Sequence, residues 1–418
     1  MYVVTTYEVL NLTWAFSIDV STPSALALQG SVVMAGSSSE VHVTDDAIYV
    51  AQIELDTSSP TTRVRYVALD STDGELQERG SARVSGQPAG RFHMDAQGAV
   101  FRIVTRGQFW QGANLHVIDF ADADRPRVLG SLTGIAPSED LHATRFDGDR
   151  AYVVTYEPVV LRTDPLWVIS LTDPSQPQVL GHLEIPGWSD YVFPRGEQLV
   201  AVGRGDQGGQ VAVALFDVSH PEAPAELSRV SFGAADASSE ANSDFRAASL
   251  IDMAQSEGWV VVPYTDNGWN SAGCVPEHHV QLVELGADRL TLRGESSSHR
   301  GRVLRTVPIG DGLYALGASE VAALDISNPD EPTIVASVDV SDDDVHDVVS
   351  DDAQVDECVA NPWLAQGAVG GDGWDDEGMA ACRLGTGRRS GSGVALCSAL
   401  AVLGLGWARR WRGPRVRA

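Results

Sequence analysis

Tyr152-Val153-Val154-Thr155, followed by Val168-Ile169-Ser170-Leu171-Thr172-Asp173-Pro174, decides how this chain folds. The first run is β-branched and aromatic, as a strand requires. The second is a short apolar strand closed by a turn. Working outward, the second pattern recurs as Phe16-Ser17-Ile18-Asp19-Val20-Ser21-Thr22-Pro23 and as Val117-Ile118-Asp119-Phe120, with Pro126 following. It returns as Leu215-Phe216-Asp217-Val218-Ser219-His220-Pro221 and Ala323-Leu324-Asp325-Ile326-Ser327-Asn328-Pro329. Ala68-Leu69-Asp70 and Leu282-Val283-Glu284 are weaker copies, giving one unit about every fifty residues. Runs such as Ile48-Tyr49-Val50-Ala51, Leu199-Val200-Ala201-Val202 and Leu313-Tyr314-Ala315-Leu316 precede the copies, often after a Gly-Asp turn. No long stretch before the C-terminal tail has helical periodicity.

Antiparallel strand units at this period, without helices, predict an all-β fold, a β-propeller of seven blades over residues 1–353. A solenoid prefers shorter repeats, and a sandwich would not give seven copies. The two ends of the array are complementary. Tyr2-Val3-Val4-Thr5 aligns with Tyr152-Val153-Val154-Thr155, so the chain starts one strand late in its first unit. Val345 to Ala353 echoes Val41 to Ala47, and this late segment is expected to complete the first blade and close the ring.

The formal net charge is −28. Residues 383–418 hold eight arginines and no acid, which leaves residues 1–382 at −36. So acidic a body repels phosphate backbones and argues against nucleic-acid binding. The chain has no lysine, which excludes Schiff-base chemistry. Cys274, Cys358, Cys382 and Cys397 show no zinc-type spacing. A Cys274–Cys358 disulfide and two free thiols both remain open.

Met1 to Thr6 reads as a strand rather than a signal peptide. At the other end, residues 354–392 form an acidic, Gly-rich linker and residues 393–408 an apolar helix. The helix serves as a membrane anchor or sorting segment, and 409–418 is a basic tail. Val394 to Trp407 is shorter than the roughly 20 residues that span a bilayer comfortably. Cys382, the spacer Arg383 to Ser392, the apolar run and the closing arginines resemble the myxobacterial C-terminal sorting tail. That resemblance implies surface sorting with processing near Cys382. An anchored chain without a leader implies a true start upstream of Met1.

Gly134-Ile135-Ala136-Pro137-Ser138-Glu139, Arg145 to Thr155, Asp164-Pro165-Leu166, Leu180 to Ser189 and Leu215 to Ser219 carry a second resemblance. They are similar to secreted bacterial and archaeal proteins with a C-terminal β-propeller domain. The resemblance implies a propeller and export, and no activity. In that family's pattern histidines stand where this chain has Phe193 and Phe245.

The first strand of a propeller blade lines the central channel, and here these strands begin alike. Glu40-x-His42, Asp140-x-His142 and Asp344-x-His346 each set an acid two residues before a histidine, on one face of a strand. His93 holds a similar place without the acid; Phe193 and Phe245 take it elsewhere, with Asp190 and Asp244 nearby. Such a ring suits a divalent metal or a cationic ligand. The same residues also suit bonding to neighbouring backbone. No nucleophile elbow, phosphate loop or dinucleotide fingerprint appears, so no catalytic residue is assigned. The expectation is an exported, cell-surface or envelope-associated binding or scaffold module. It would act as a monomer, take a protein or glycan partner and reach the membrane through its tail. The alternative is an extracellular metal-dependent enzyme using the acid-histidine ring.

Overall fold

The computed structural model describes residues 11–340 apart from 37, 55–58, 70–72, 108–110, 157–162, 206–208, 255–256, 271–272, 298 and 311. These residues build seven consecutive antiparallel sheets, the blades of an all-β propeller. The first sheet has two described strands, Leu12–Asp19 and Ala27–Ala35. Each of the other six has four strands, paired in chain order. Their innermost strands are Ser38–Val43, Met94–Gln97, Asp140–Asp147, Trp188–Arg195, Ser249–Ala254 and Val303–Ile309. The segments expected to close the ring, residues 2–9 and 345–353, lie outside the described residues. So do Asp344, His346, Cys358, Cys382, the linker and the apolar tail. Among the described residues no helix is long and apolar enough to cross a membrane.

The repeated sequence pattern falls at the end of the third strand of each four-stranded sheet, and its acid has a defined task. The Asp119 carboxylate accepts the Ala121 N–H (2.9 Å), Asp217 that of Ser219 (2.8 Å) and Asp325 that of Ser327 (2.8 Å). Asp19 does the same for Ser21 (2.8 Å) in the first sheet, and the Ser170 hydroxyl serves Thr172 (3.3 Å) in the fourth. A short side chain that bonds the backbone two residues on starts a turn locally, before any partner sheet is present. Those N–H groups hold the carboxyls of Asp19, Asp119 and Asp325 below the usual carboxylate range.

The turns so made are received by the preceding sheet. Gly80, on the outer strand of the second sheet, donates its N–H to Ala123 O of the next turn, and a Cβ there would lie 2.5 Å from Pro126. Beside it, Arg79 forks onto Asp124 (Nε 2.6 Å). The sixth sheet repeats the device: Gly294 faces the backbone of Asp330, which Arg293 clasps (2.6 Å). Only glycine allows so close an approach of backbones.

A separate apolar core fills each space between consecutive sheets. Tyr49, Phe101 and Phe120 join the second and third sheets, with Tyr49 and Phe101 stacked at 4.4 Å. Val104, Leu115, Leu141 and Val153 join the third and fourth, and Val154, Leu166, Leu199 and Phe216 the fourth and fifth. Second and third strands are buried on both faces, which is why they read as continuous apolar runs. The innermost strands carry polar side chains because they face the channel.

Candidate functional site

The innermost strands do not run straight. In the fourth sheet the pairing steps from Leu141 opposite Thr155 to Ala143 opposite Val154, which leaves His142 as the extra residue of a bulge. In the fifth it steps from Ser189 opposite Gly203 to Tyr191 opposite Val202, which does the same for Asp190. A bulge re-aims the residue it carries. The two bulged residues meet between sheets, with His142 Nε2 3.0 Å from Asp190 Oδ1.

Asp190 is held from its other side by the sixth sheet. A single 3-10 turn, Glu240–Asn242, leads into that sheet and is closed by a capping box. Ser239 Oγ accepts the Ala241 N–H (3.1 Å), and the Asn242 side-chain oxygen accepts the Ser239 N–H (3.1 Å). The Asn242 amide nitrogen is thereby fixed to donate to Asp190 Oδ2 (2.6 Å). Both oxygens of Asp190 are engaged. Behind His142 sits Asp164, fully buried: one oxygen accepts the Ser189 N–H (3.2 Å), and the other has no hydrogen-bond partner among the described residues. Burial pushes the Asp164 carboxyl up to about 7. Burial works against a charged His142 as well. The hydrogen bond and charge of Asp190, with the charge of Asp164, outweigh it and raise the imidazole pKa.

Of these residues His142, Asp190 and Asn242 form one side of a cavity of about 550 Å³ at the channel mouth. The other side is aromatic and cationic. Arg91 and Phe92 stand on the 3-10 turn Arg91–His93 before the third sheet; Arg145 is on the innermost strand of the fourth; Phe245 precedes the sixth. Phe92 and Phe245 meet edge to face at 4.5 Å. The Arg145 guanidinium lies 3.4 Å from the Phe92 ring centre, and that of Arg91 lies 4.4 Å from Phe245. Arg145 Nε donates to Val192 O (2.8 Å). Arg246, also near Phe245, forks onto Asp244 (2.8 Å).

Among the described acid-histidine positions expected from sequence, His93 and His142 both line the cavity, while Glu40, His42 and Asp140 do not. Asp140 pairs with Arg106 of the third sheet (2.6 Å), away from His142, because the bulge ends the simple alternation between residues 140 and 142. His42 packs between Tyr49 and Phe101 (6.2 Å to each) and burial lowers its pKa. Burial raises Glu40, against the charge of Arg91. His93 is buried and accepts the Ala89 N–H at Nδ1 (3.1 Å); burial first, then Arg106, His142 and Arg145, press it down to about 3. Among the described residues no three His, Cys, Asp or Glu side chains gather where they could hold a metal ion. Among the described sequence candidates, His142 is the one paired with a cavity-lining residue of another sheet, Asp190.

Sequence reasoning missed Arg91, Phe92, Arg145, Asp164, Tyr191 and Asn242. One signal was present: Arg91-Phe92 and Phe245-Arg246 place an aromatic beside an arginine just before an innermost strand.

An uncharacterised protein of Methanocaldococcus jannaschii is 30% identical over 273 residues, covering 64% of this chain and 39% of that protein. One of Archaeoglobus fulgidus is 30% identical over 251 residues, covering 60% of this chain and 36% of that protein. The matched part thus spans under two fifths of either curated relative. Among solved structures, a putative 6-phosphogluconolactonase of Bacteroides fragilis aligns at a TM-score of 0.43 and 12% identity, over 78% of this chain and 91% of that one. A hypothetical selenium-binding protein of Sulfolobus tokodaii aligns at 0.38 and 12%, over 78% and 76%. The family model described as Beta propeller domain matches residues 1–329, which take in every described strand of the seven sheets except the last, Thr333–Asp339, and the chain belongs to that family.

Proposed function

We propose that this protein is an exported propeller that works as a binding module and receives its ligand at the channel mouth, without catalysis. The observation that carries this reading is the 550 Å³ cavity. Its size is that of a small-molecule site, and its wall joins aromatic faces to a few fixed polar groups. The innermost strands of two sheets and two 3-10 turns with their flanking residues supply the wall, so the site is a property of the assembled blades rather than of one loop. His142 and Asp190 hold each other, and Asp190 is also held by Asn242, which suits a preorganised wall. Export rests on the sequence of the C-terminal tail.

Gly90 offers a direct test. It lies at the rim with extended backbone, and a Cβ there would meet nothing within 4 Å. Gly90→Trp should therefore fold normally and fill the mouth. A thermal-shift and calorimetric screen of neutral, cationic and anionic small molecules should give ligands that the wild type binds and Gly90→Trp does not. If every ligand found binds both proteins alike, the mouth is not the site. Export is tested by cell fractionation of the native protein, where recovery in the cytoplasm alone would remove it. The metal-dependent alternative draws on Asp344 and His346, outside the described residues. Stoichiometric metal that is lost on replacing His42, His142 and His346 by alanine would favour it.

A further inference from the structure

We propose that the ligand of this mouth is an oxyanion, a carboxylate or phosphate group carried by a small organic molecule and held between Arg91 and Arg145. This rests on the mouth being a binding site and adds the chemistry of what it binds.

Most charges at the mouth are already matched. Asp190 is engaged by His142 and Asn242, and Asp244 by Arg246 and by Arg305 (3.3 Å). Asp140 is engaged by Arg106 and Glu240 by Arg302 (3.1 Å). The two central guanidiniums are the exception. Among the described residues neither Arg91 nor Arg145 makes an ion pair, and the one hydrogen bond between them is that of Arg145 Nε to Val192 O. Glu40 is near enough to feel the charge of Arg91 without pairing with it.

Holding two guanidiniums together is unfavourable unless something offsets their repulsion. The flat faces of Phe92 and Phe245 offset part of it, and a cation over an aromatic ring contributes about 0.5–2 kcal/mol. What the rings cannot do is accept the in-plane N–H groups. Desolvation first, then the charge of Arg91, press the Arg145 pKa down to about 10, the mark of a cation short of a counter-charge. With its faces on rings and Nε bonded to backbone, Arg145 has its two terminal nitrogens left for a ligand. An oxyanion matches that fork in shape as well as charge. The aromatic rings beside it would cover the apolar part of the same molecule. A cationic ligand, the other class a polar mouth suits, meets only carboxylates that are already bonded.

The test is isothermal titration of the full chain with sodium phosphate and with sodium acetate, each against sodium chloride at equal ionic strength. Wild type should bind at least one of the two oxyanions saturably, and which one it prefers separates phosphate from carboxylate. Arg91→Gln alters an exposed side chain and so keeps the fold; it should weaken binding at least tenfold. Arg145→Lys retains a charge on the Phe92 ring but loses the fork, and should weaken it comparably. Saturable binding that survives Arg91→Gln unchanged overturns the proposal, as does absence of saturable binding of either anion to wild type. If neutral molecules bind wild type and fail with Gly90→Trp while neither oxyanion binds, the mouth stands as a site and the oxyanion assignment falls.

Discussion

Two histidine–carboxylate pairs in this molecule have nearly the same length and opposite behaviour. His142 and Asp190 meet at 3.0 Å beside the cavity; His299 and Glu320 meet at 3.2 Å in the seventh sheet. The second pair extends to Ser296, whose hydroxyl lies 2.9 Å from His299 Nε2, so Ser, His and Glu follow in the order of a hydrolytic triad. Their surroundings separate them. Ser296, His299 and Glu320 are 2%, 7% and 3% exposed, and no reactant reaches that serine. The line instead ties the end of the sixth sheet to the third strand of the seventh. At His299 desolvation outweighs Glu320, helped by the like charge of His279, and the pKa falls. At His142 two carboxylates outweigh desolvation and the pKa rises. A histidine beside an acid is therefore not one chemical feature. Burial and the number of carboxylates decide whether its pKa falls or rises.

The largest expected effect sharpens that contrast with pH. Burial lowers His93 to about 3 and His116 and His278 to about 4. A lowered folded pKa means that stability is fully present above the unfolded value, about 6.5, and is lost as pH falls below it. At pH 5 each of the three should cost about 2 kcal/mol, from 1.4 kcal/mol per pKa unit. Asp164 acts in the opposite sense, since its raised carboxyl keeps its proton while the unfolded chain has lost it. A net loss of roughly 4 kcal/mol between pH 7.5 and pH 5 follows. Urea unfolding at the two pH values measures it; a midpoint that stays level would show that the sealed histidines are not neutral.

Breaking the sealed pair comes next. Glu320→Ala leaves His299 and Ser296 buried with one partner fewer and should cost about 2–3 kcal/mol. The urea midpoint should fall with an unchanged slope, while ligand binding at the mouth is untouched. A loss below about 0.5 kcal/mol would mean that the Ser-His-Glu line is not a staple. Asp164→Asn should move stability the other way. The stability that neutral Asp164 contributes is full below about 4 and is lost as pH rises to about 7, because the unfolded chain gives up its proton first. The amide cannot ionise, so the variant should be about 2 kcal/mol more stable at pH 8, with the gain fading by pH 5. Equal unfolding curves at pH 8 would show that Asp164 ionises freely.

The contrast also explains what could be read from sequence. The seven-unit plan was legible because its signal is local: Asp119, Asp217 and Asp325 each build a turn with residues two positions away. The strand character of Tyr152–Thr155 was legible because burial on both faces demands an apolar run. The site was not. Asp140-x-His142 looks like one face of a strand, but a bulge sends the acid to Arg106 and the histidine to Asp190, 48 residues on. A bulge leaves no mark in an alternation pattern. Arg145 over Phe92 likewise joins two sheets, and nothing near either residue announces the other. Asp164 reads as an ordinary strand-start acid until the packing of His142 and Ser189 over it is known.

The smallest effect is the most specific to the mouth. Asp190→Asn keeps the shape of the side chain and removes the hydrogen-bonded charge that raises the His142 pKa. Burial should then prevail, and the His142 pKa should fall from above its ordinary value to below it, as at His299. The stability change stays under about 1 kcal/mol, because the His142 side chain is still 30% exposed and solvent screens the pair. Its sign is fixed. A raised folded pKa gives stability that is full below about 6.5 and lost as pH rises through the folded value. Wild type and variant should therefore differ at pH 5.5 and converge by pH 9. An NMR titration of the His142 ring proton reads the shift directly. A curve that does not move would mean that Asp190 is not what distinguishes this histidine from the sealed one, and that Asp164 alone holds its charge.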